Sequence, residues 1–436
     1  MPELYKYQKQ AIAQLLAGKH FVILGTGLGK GAIGMVWAAK RCEETGKNKI
    51  LVITTASKAH MKPTDYELDL IKWCPSSPLL KSLSSSLSVI SWAKLRNWVD
   101  ANWKNLNEYV VVADEIAAIK AGISSLRGRA FLKMAKRNPD WAGFTATPGE
   151  SWVHYYPYYT ACGLVRNKTG FLAEYANVQT FKGFPEIIGW RHEDKLRDMW
   201  ARISYAPDAS IALQELPKET HRVIEFSKPK GYSNVLKTRQ TADGDFIDTT
   251  MGLCHYLRQI CFTKDKEQWV KDFLENLGER AIIFYSYIAE GNRLEEIAKK
   301  AVSGKVWRID GRHHDIPTEE TCGEHDVIIC QWQSGSEGLN AQYVNYWVST
   351  TPNYSYSTSL QARGRIQRIG AKHPKFYYYL KCPDSIEGDV YEALAYKKDF
   401  SVDNWCANNN IEIKEDNGQT KQIQNRGRET RGEKDL

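Results

Sequence analysis

Phe21-Val-Ile-Leu24-Gly25-Thr26-Gly27-Leu28-Gly29-Lys30-Gly31 decides the fold of this chain. Four apolar residues read as a short buried strand. Gly25, Gly27 and Gly29 then interrupt any regular pattern, and helical spacing begins at Ala32. A strand, a glycine-rich loop, a lysine and a helix together wrap backbone N–H groups around a phosphate. The glycines allow close backbone approach, and Lys30 supplies a point charge to the β/γ-phosphates. The position after the lysine, where a hydroxyl would ligate Mg²⁺, holds Gly31. The apolar stretch continues to Ala39, but Lys30 and five glycines within it exclude a membrane span.

Downstream, Val110-Val-Val-Ala-Asp114-Glu115 is an apolar strand ending in two carboxylates. One carboxylate can hold Mg²⁺, through water, and the other can activate water, which predicts those roles for Asp114 and Glu115 respectively. Similar apolar runs recur at residues 50–54 and 142–145, and again at 281–286, 305–309, 326–330, 345–350 and 375–380. Near-continuous apolar strands separated by helical segments predict α/β lobes with parallel sheets, and two such series predict two lobes. Residues 151–265 open on an aromatic cluster and then read as mostly helical. The expected division is therefore residues 1–160 as an ATP-binding lobe, 161–265 as its end plus a helical insertion, 266–400 as a second lobe, and 401–436 as a polar, disordered tail.

Near the end of the second series stands Gln361-Ala-Arg363-Gly364-Arg365-Ile-Gln-Arg368. Arg365 and Arg368 are three apart and would share one face of a helix. Two guanidinium groups so placed suit a triphosphate held by a neighbouring domain.

The ordered set resembles the superfamily-two helicase-type ATPases, and among them the Snf-family (Swi/Snf-type) DNA translocases. The likeness runs over roughly residues 4–395. Leu4-Tyr-Lys-Tyr7-Gln8 is similar to the element that reads adenine, which implies Gln8 as the adenine contact. Gly25 to Lys30 resembles motif I, and Asp114-Glu115 resembles motif II. Thr145-Ala-Thr147-Pro148 resembles motif III, so Thr145, Thr147 and Gln361 are expected to couple nucleotide state to lobe movement. Ser334-Gly-Ser336-Glu-Gly338-Leu-Asn340 resembles motif V, with Gly338 on the nucleotide side. Residues 361–368 resemble motif VI, with Arg365 and Arg368 as arginine fingers. The segments Asp114–Lys120, Leu216-Pro-Lys, Leu257–Cys261 and Arg368-Ile-Gly370 carry the Snf-like character.

This resemblance implies two RecA-like lobes, ATP with Mg²⁺, and nucleic acid gripped by its backbone. The expected backbone contacts are Thr54, Thr55 and Ser57, Ser91, and Ser334 with Ser336, because hydroxyls bind phosphates without reading bases. Gly31, Ala117, Gly364 and Ala371 depart from the family pattern. The expected activity is an ATP-dependent translocase on duplex DNA, from a compact bacterial or bacteriophage member. Alternatives are a strand-separating or branch-migration helicase on forked or branched DNA, an RNA helicase, and a nucleic-acid-binding protein that does not hydrolyse ATP.

Composition agrees with such a motor and excludes other classes. The 436 residues are 42% hydrophobic and 25% charged, as in globular chains rather than disordered or collagen-like ones. Fifty-nine Lys and Arg against 51 Asp and Glu give +8. Residues 401–436 hold six basic and seven acidic residues, so the excess lies in the body, at +9 over residues 1–400. That sign permits a polyanion partner. Nine cysteines without a CxxC pair argue against a zinc ribbon or a disulfide framework and point to reduced thiols in a cytoplasm. His313-His314-Asp315 reads as a solvated loop rather than a metal site, and the tryptophans read as core rather than base-stacking platforms.

Overall fold

A computed structural model describes residues 3–421 except 61, 182–183, 209, 211–215, 314, 336–338, 369, 410, 412 and 415–419. The side chains of residues 57, 180–181, 184–185, 407, 413–414 and 420–421 are also outside the description. Of the expected disordered tail, residues 422–436 lie outside it, whereas Val402–Asn408 is a helix that buries Trp405 and Cys406 in a core cluster, which corrects the reading for that part.

The chain divides into two compact units. The first is Met1–Leu216 with Arg368–Gly370, and the second is Pro217–Gln367 with Ala371–Leu436.

The first unit is built on a six-stranded parallel sheet. Its strands are β1 (Phe21–Ile23), β2 (Lys49–Thr54), β3 (Leu87–Ser91), β4 (Tyr109–Asp114), β5 (Trp141–Thr145) and, after the hairpin described below, β8 (Ser204–Tyr205). Their order across the sheet is β3-β2-β4-β5-β1-β8. Every residue of β5 is buried, as are all but the first residues of β2 and β4. Successive side chains of a strand point to opposite faces, so an all-apolar strand needs cover on both. Ile50, Val52, Val110, Val112 and Phe144 pack on one face. Leu51, Ile53, Val111, Ala113 and Trp141 pack on the other. Helix α1 (Lys6–Leu16) and helix α2 (Lys30–Thr45) contribute to the first of these layers. Strand β5 lies between β1 and β4, so the phosphate loop and the paired carboxylates leave the same edge of the sheet one strand apart.

The second unit repeats the plan. Strands β9 (Glu219–Glu225), β10 (Ala281–Tyr285), β11 (Val306–Ile309), β12 (Val327–Gln331), β13 (Tyr346–Ser349) and β14 (Lys375–Lys381) form a parallel sheet in the order β11-β12-β10-β13-β14-β9. Ile282, Phe284, Ile328 and Cys330 face one layer, and Ala281, Ile283, Val327 and Ile329 the other. Both units are α/β, each a parallel sheet with an apolar layer on either face.

Residues 161–265, expected as the end of the first lobe plus a helical insertion, divide between the two units and are not helical throughout. No third unit separates from the others, because the segment divides at Leu216/Pro217. It also contains strands: a hairpin, β6 (Ala176–Phe181) with β7 (Phe184–Trp190), and the sheet-edge strands β8 and β9. Strand β9, Glu-Thr-His-Arg-Val-Ile-Glu, has no buried residue. Its pairing with β14 comes from backbone ladder bonds, which leave little apolar signature in the sequence.

Candidate nucleotide-binding site

The loop after β1 is shaped by two glycines in the left-handed region, Gly27 at φ +75° and Gly29 at φ +80°. Gly29 is the N-cap of helix α2, and no side chain caps that end. The N–H groups of the first turn are therefore available to an anion, and the helix dipole favours one. Lys30 opens the helix. Its Nζ donates to the carbonyls of Leu24 at 3.1 Å and Gly25 at 3.3 Å, and stands 3.9 Å from Oε1 of Glu115.

Helix α1 supports the loop from behind. The Tyr7 hydroxyl donates to the Leu28 carbonyl at 2.8 Å, and Nε2 of Gln8 does so at 3.4 Å. Gln8 is buried, and its Oε1 accepts from the Tyr5 N–H at 3.0 Å. A Cβ on Gly29 would overlap Nε2 of Gln8, which would have to move, and the positive φ itself favours glycine there.

Strand β4 ends on Asp114, which is buried. Its Oδ2 accepts from Lys58 Nζ at 2.7 Å, from the Tyr66 hydroxyl at 2.6 Å and from Thr54 Oγ1 at 3.2 Å. Burial by itself would raise the Asp114 pKa. The Lys58 and Lys30 ammonium groups and these hydrogen bonds outweigh it and hold the carboxyl well below the usual range. Glu115 follows in the left-handed region at φ +50°, unusual for a residue with a Cβ. That backbone turns the Glu115 side chain towards Lys30. The indole of Trp92 donates to the Asp114 carbonyl at 2.9 Å, which fixes the turn from the other side.

Helix α3 (Asp65–Trp73) begins with a capping box between Thr64 and Glu67 and packs on helix α2. It supplies Tyr66 and also Asp69. A Cβ on Gly31 would lie 2.5 Å from Oδ2 of Asp69, so this carboxylate fills the space that a side chain at position 31 would need. Burial, and then the neighbouring Asp65, push the Asp69 carboxyl up to about 6.

The structure thus brings Gln8, Gly25, Thr26, Gly27, Leu28, Gly29, Lys30, Gly31, Asp114 and Glu115 around one loop of the first unit. Sequence reasoning missed Lys58, Tyr66 and Asp69. Thr64-x-x-Glu67 was readable as the start of a helix, but nothing in it marks which residues that helix aims at the loop.

Other expected residues are placed differently. Thr54 and Ser91 are buried, at 0% and 4% exposure, which corrects their reading as surface contacts for a phosphate backbone. The Thr54 hydroxyl is committed to Tyr66 and Asp114 inside the unit. Thr55 and Ser334 are half-buried at the ends of β2 and of the short helix Trp332–Gly335. The Ser57 side chain, Ser336 and Gly338 lie outside the described residues. Thr145 is buried, and its hydroxyl accepts from the Thr147 N–H at 3.1 Å, which shapes the turn after β5.

Gln361 lies on the helix Tyr356–Arg363, which stops at Gly364. Arg365 and Arg368 therefore do not share a helical face. Glycine disfavours continuation, and the chain turns so that the Arg365 carbonyl accepts from the Ala341 N–H at 3.1 Å. Arg368 groups with the first unit. Trp92 and Trp332 are buried, as core residues should be.

Among the described residues no helix is long and apolar enough to cross a membrane. Residues 265–370 match the family described as helicase conserved C-terminal domain. No curated protein matches the sequence. A solved structure described as the Sulfolobus solfataricus SWI2/SNF2 ATPase core in complex with dsDNA is similar at 14% identity and a TM-score of 0.39, over 91% of this chain and 91% of that chain. The matched residues 265–370 include strands β10 to β13 of the second sheet.

Proposed function

We propose that the protein is a DNA-stimulated ATPase that moves along duplex DNA. The observation that carries this reading is the placement of Lys30 at the start of helix α2, 3.9 Å from Glu115, in a chain whose residues 265–370 match a helicase C-terminal domain.

The glycine-rich loop and the first turn of helix α2 bind the phosphates of ATP, with Lys30 as the point charge. Its present hydrogen bonds to two carbonyls are the kind an ammonium exchanges for phosphate oxygens. Gln8, seated on the loop, reads the adenine edge. Asp114 fits Mg²⁺: it is an anionic oxygen donor at a strand end, and the Lys58 ammonium already stands where a cation would be held. When bound, Mg²⁺ neutralises charge on the β/γ-phosphates. Glu115 orients the attacking water and takes its proton. Arg365 and Arg368 are assigned to stabilising the transferred phosphoryl group, and Thr145, Thr147 and Gln361 to coupling this state to movement.

Duplex DNA is preferred over RNA because the Snf-like segments Asp114–Lys120, Leu257–Cys261 and Arg368–Gly370 adjoin the motifs. The positive charge of residues 1–400 suits transient phosphate contacts, for which Thr55, Ser57, Ser334 and Ser336 remain the candidates.

The test is ATP turnover in the presence of single-stranded DNA, duplex DNA, forked DNA and RNA. The expected order places duplex DNA first. Stimulation by RNA alone would replace this reading with an RNA helicase, and unwinding of forked DNA without displacement of a triplex strand would replace it with a strand-separating one.

A further inference from the structure

The phosphate loop lacks the hydroxyl that normally follows its lysine, because Gly31 has no side chain. The space is filled all the same. Oδ2 of Asp69 lies 2.5 Å from where a Cβ on Gly31 would be, so a carboxylate oxygen stands roughly where a serine or threonine side chain would project. Helix α3 holds Asp69 there: its own capping box fixes its start, Tyr66 anchors it to Asp114, and it packs on helix α2. Asp69 and Tyr66 are three apart, so they lie on neighbouring positions of one helical face. Lys30 acts electrostatically on Asp114 and is the chain neighbour of Gly31, which faces Asp69. Asp69 thus lies at the first turn of helix α2, and its helix reaches Asp114 through Tyr66.

We propose that Asp69 replaces the missing phosphate-loop hydroxyl as the second protein oxygen serving Mg²⁺, directly or through water. Mg²⁺ prefers hard oxygen donors and keeps most of its water, so a carboxylate can take the role of a hydroxyl without remodelling the loop. The geometry also makes the exchange reciprocal. A side chain at position 31 and the Asp69 carboxylate in its present rotamer meet in one space, so one of them must shift when both are present. This explains how a chain with glycine after the lysine keeps a complete cation site, and it rests on the nucleotide-site reading above.

The test is binding of a fluorescent ADP analogue, with Mg²⁺ and with EDTA, to the full-length protein. In the wild type, Mg²⁺ should tighten binding. In Asp69→Asn, the metal-free affinity should be unchanged, which also reports a folded site, while the tightening by Mg²⁺ falls by about tenfold. Asp69→Ala should lose it likewise, and the double variant Gly31→Ser, Asp69→Ala should recover most of it, because the serine then supplies the hydroxyl. If Asp69→Asn keeps the full Mg²⁺ effect, or if the double variant is no better than Asp69→Ala, the proposal is wrong while the nucleotide-site reading stands. If the wild type binds no nucleotide, both are wrong.

Discussion

Lys58 holds Asp114 by an ion pair of 2.7 Å at the end of β4, so a side chain from the segment after β2 clamps the carboxylate assigned to the cation. The Asp114 side chain is only 6% exposed, and removing its partner leaves a poorly solvated charge. Lys58→Met is expected to destabilise the protein by about 2–4 kcal/mol without Mg²⁺-nucleotide. The deficit should shrink when Mg²⁺ and ADP are added, because a bound cation supplies the missing positive charge. Thermal melts with and without Mg²⁺-ADP check both parts, and an equal deficit in the two conditions would contradict the cation assignment.

Tyr66 bonds to Asp114 and to Thr54 from a fully packed position. Tyr66→Phe keeps the ring and removes both hydrogen bonds. The expected loss is about 1–3 kcal/mol by chemical denaturation, since a buried acceptor is left with fewer donors.

In the second unit, Lys266 and Glu387 form an ion pair of 2.7 Å with both side chains at 0% exposure. Lys266 also donates to the carbonyls of Thr350 and Leu380. Glu387→Gln should cost about 3–5 kcal/mol, because an ammonium stays buried without its counter-charge. Replacing both, as Lys266→Met with Glu387→Leu, should cost much less than the single change. Equal costs would mean that the charges do not act as a pair.

Asp310 gives the pH dependence. Burial would raise its pKa, but the backbone N–H of Arg312, the N–H and ring of His313, and the Arg308 guanidinium lower it below its ordinary 3.8. Because the folded value is depressed, the stability it contributes is fully present above about pH 4 and is lost as pH falls through the folded value. Asp310→Asn should therefore cost about 2–4 kcal/mol at neutral pH, and the difference from wild type should narrow below pH 4. A difference that is constant with pH would contradict it.

Much of the fold was legible because β2, β4, β5, β10 and β12 are buried almost throughout and so read as continuous apolar runs. Strand β9 was not, since its side chains are exposed or half-buried and polar ones such as His221 and Glu219 meet the neighbouring strand. The loop Gly25 to Lys30 and the pair Asp114-Glu115 were legible because their residue types are dictated locally, by dihedral angle and charge. Asp69 was not, because its place beside Gly31 is set by helix α3 packing on helix α2. Thr54 misled because a hydroxyl at a strand end looks the same in sequence whether it meets solvent or, as here, a buried carboxylate.

The most direct test of the central claim, that Glu115 drives ATP turnover coupled to DNA, is the ATPase rate of wild type and Glu115→Gln with duplex DNA present. The reading predicts a DNA-stimulated rate in the wild type and a loss of at least about 100-fold in the variant, with nucleotide binding retained. Equal rates in the two proteins, or a wild-type rate indifferent to DNA, would contradict it.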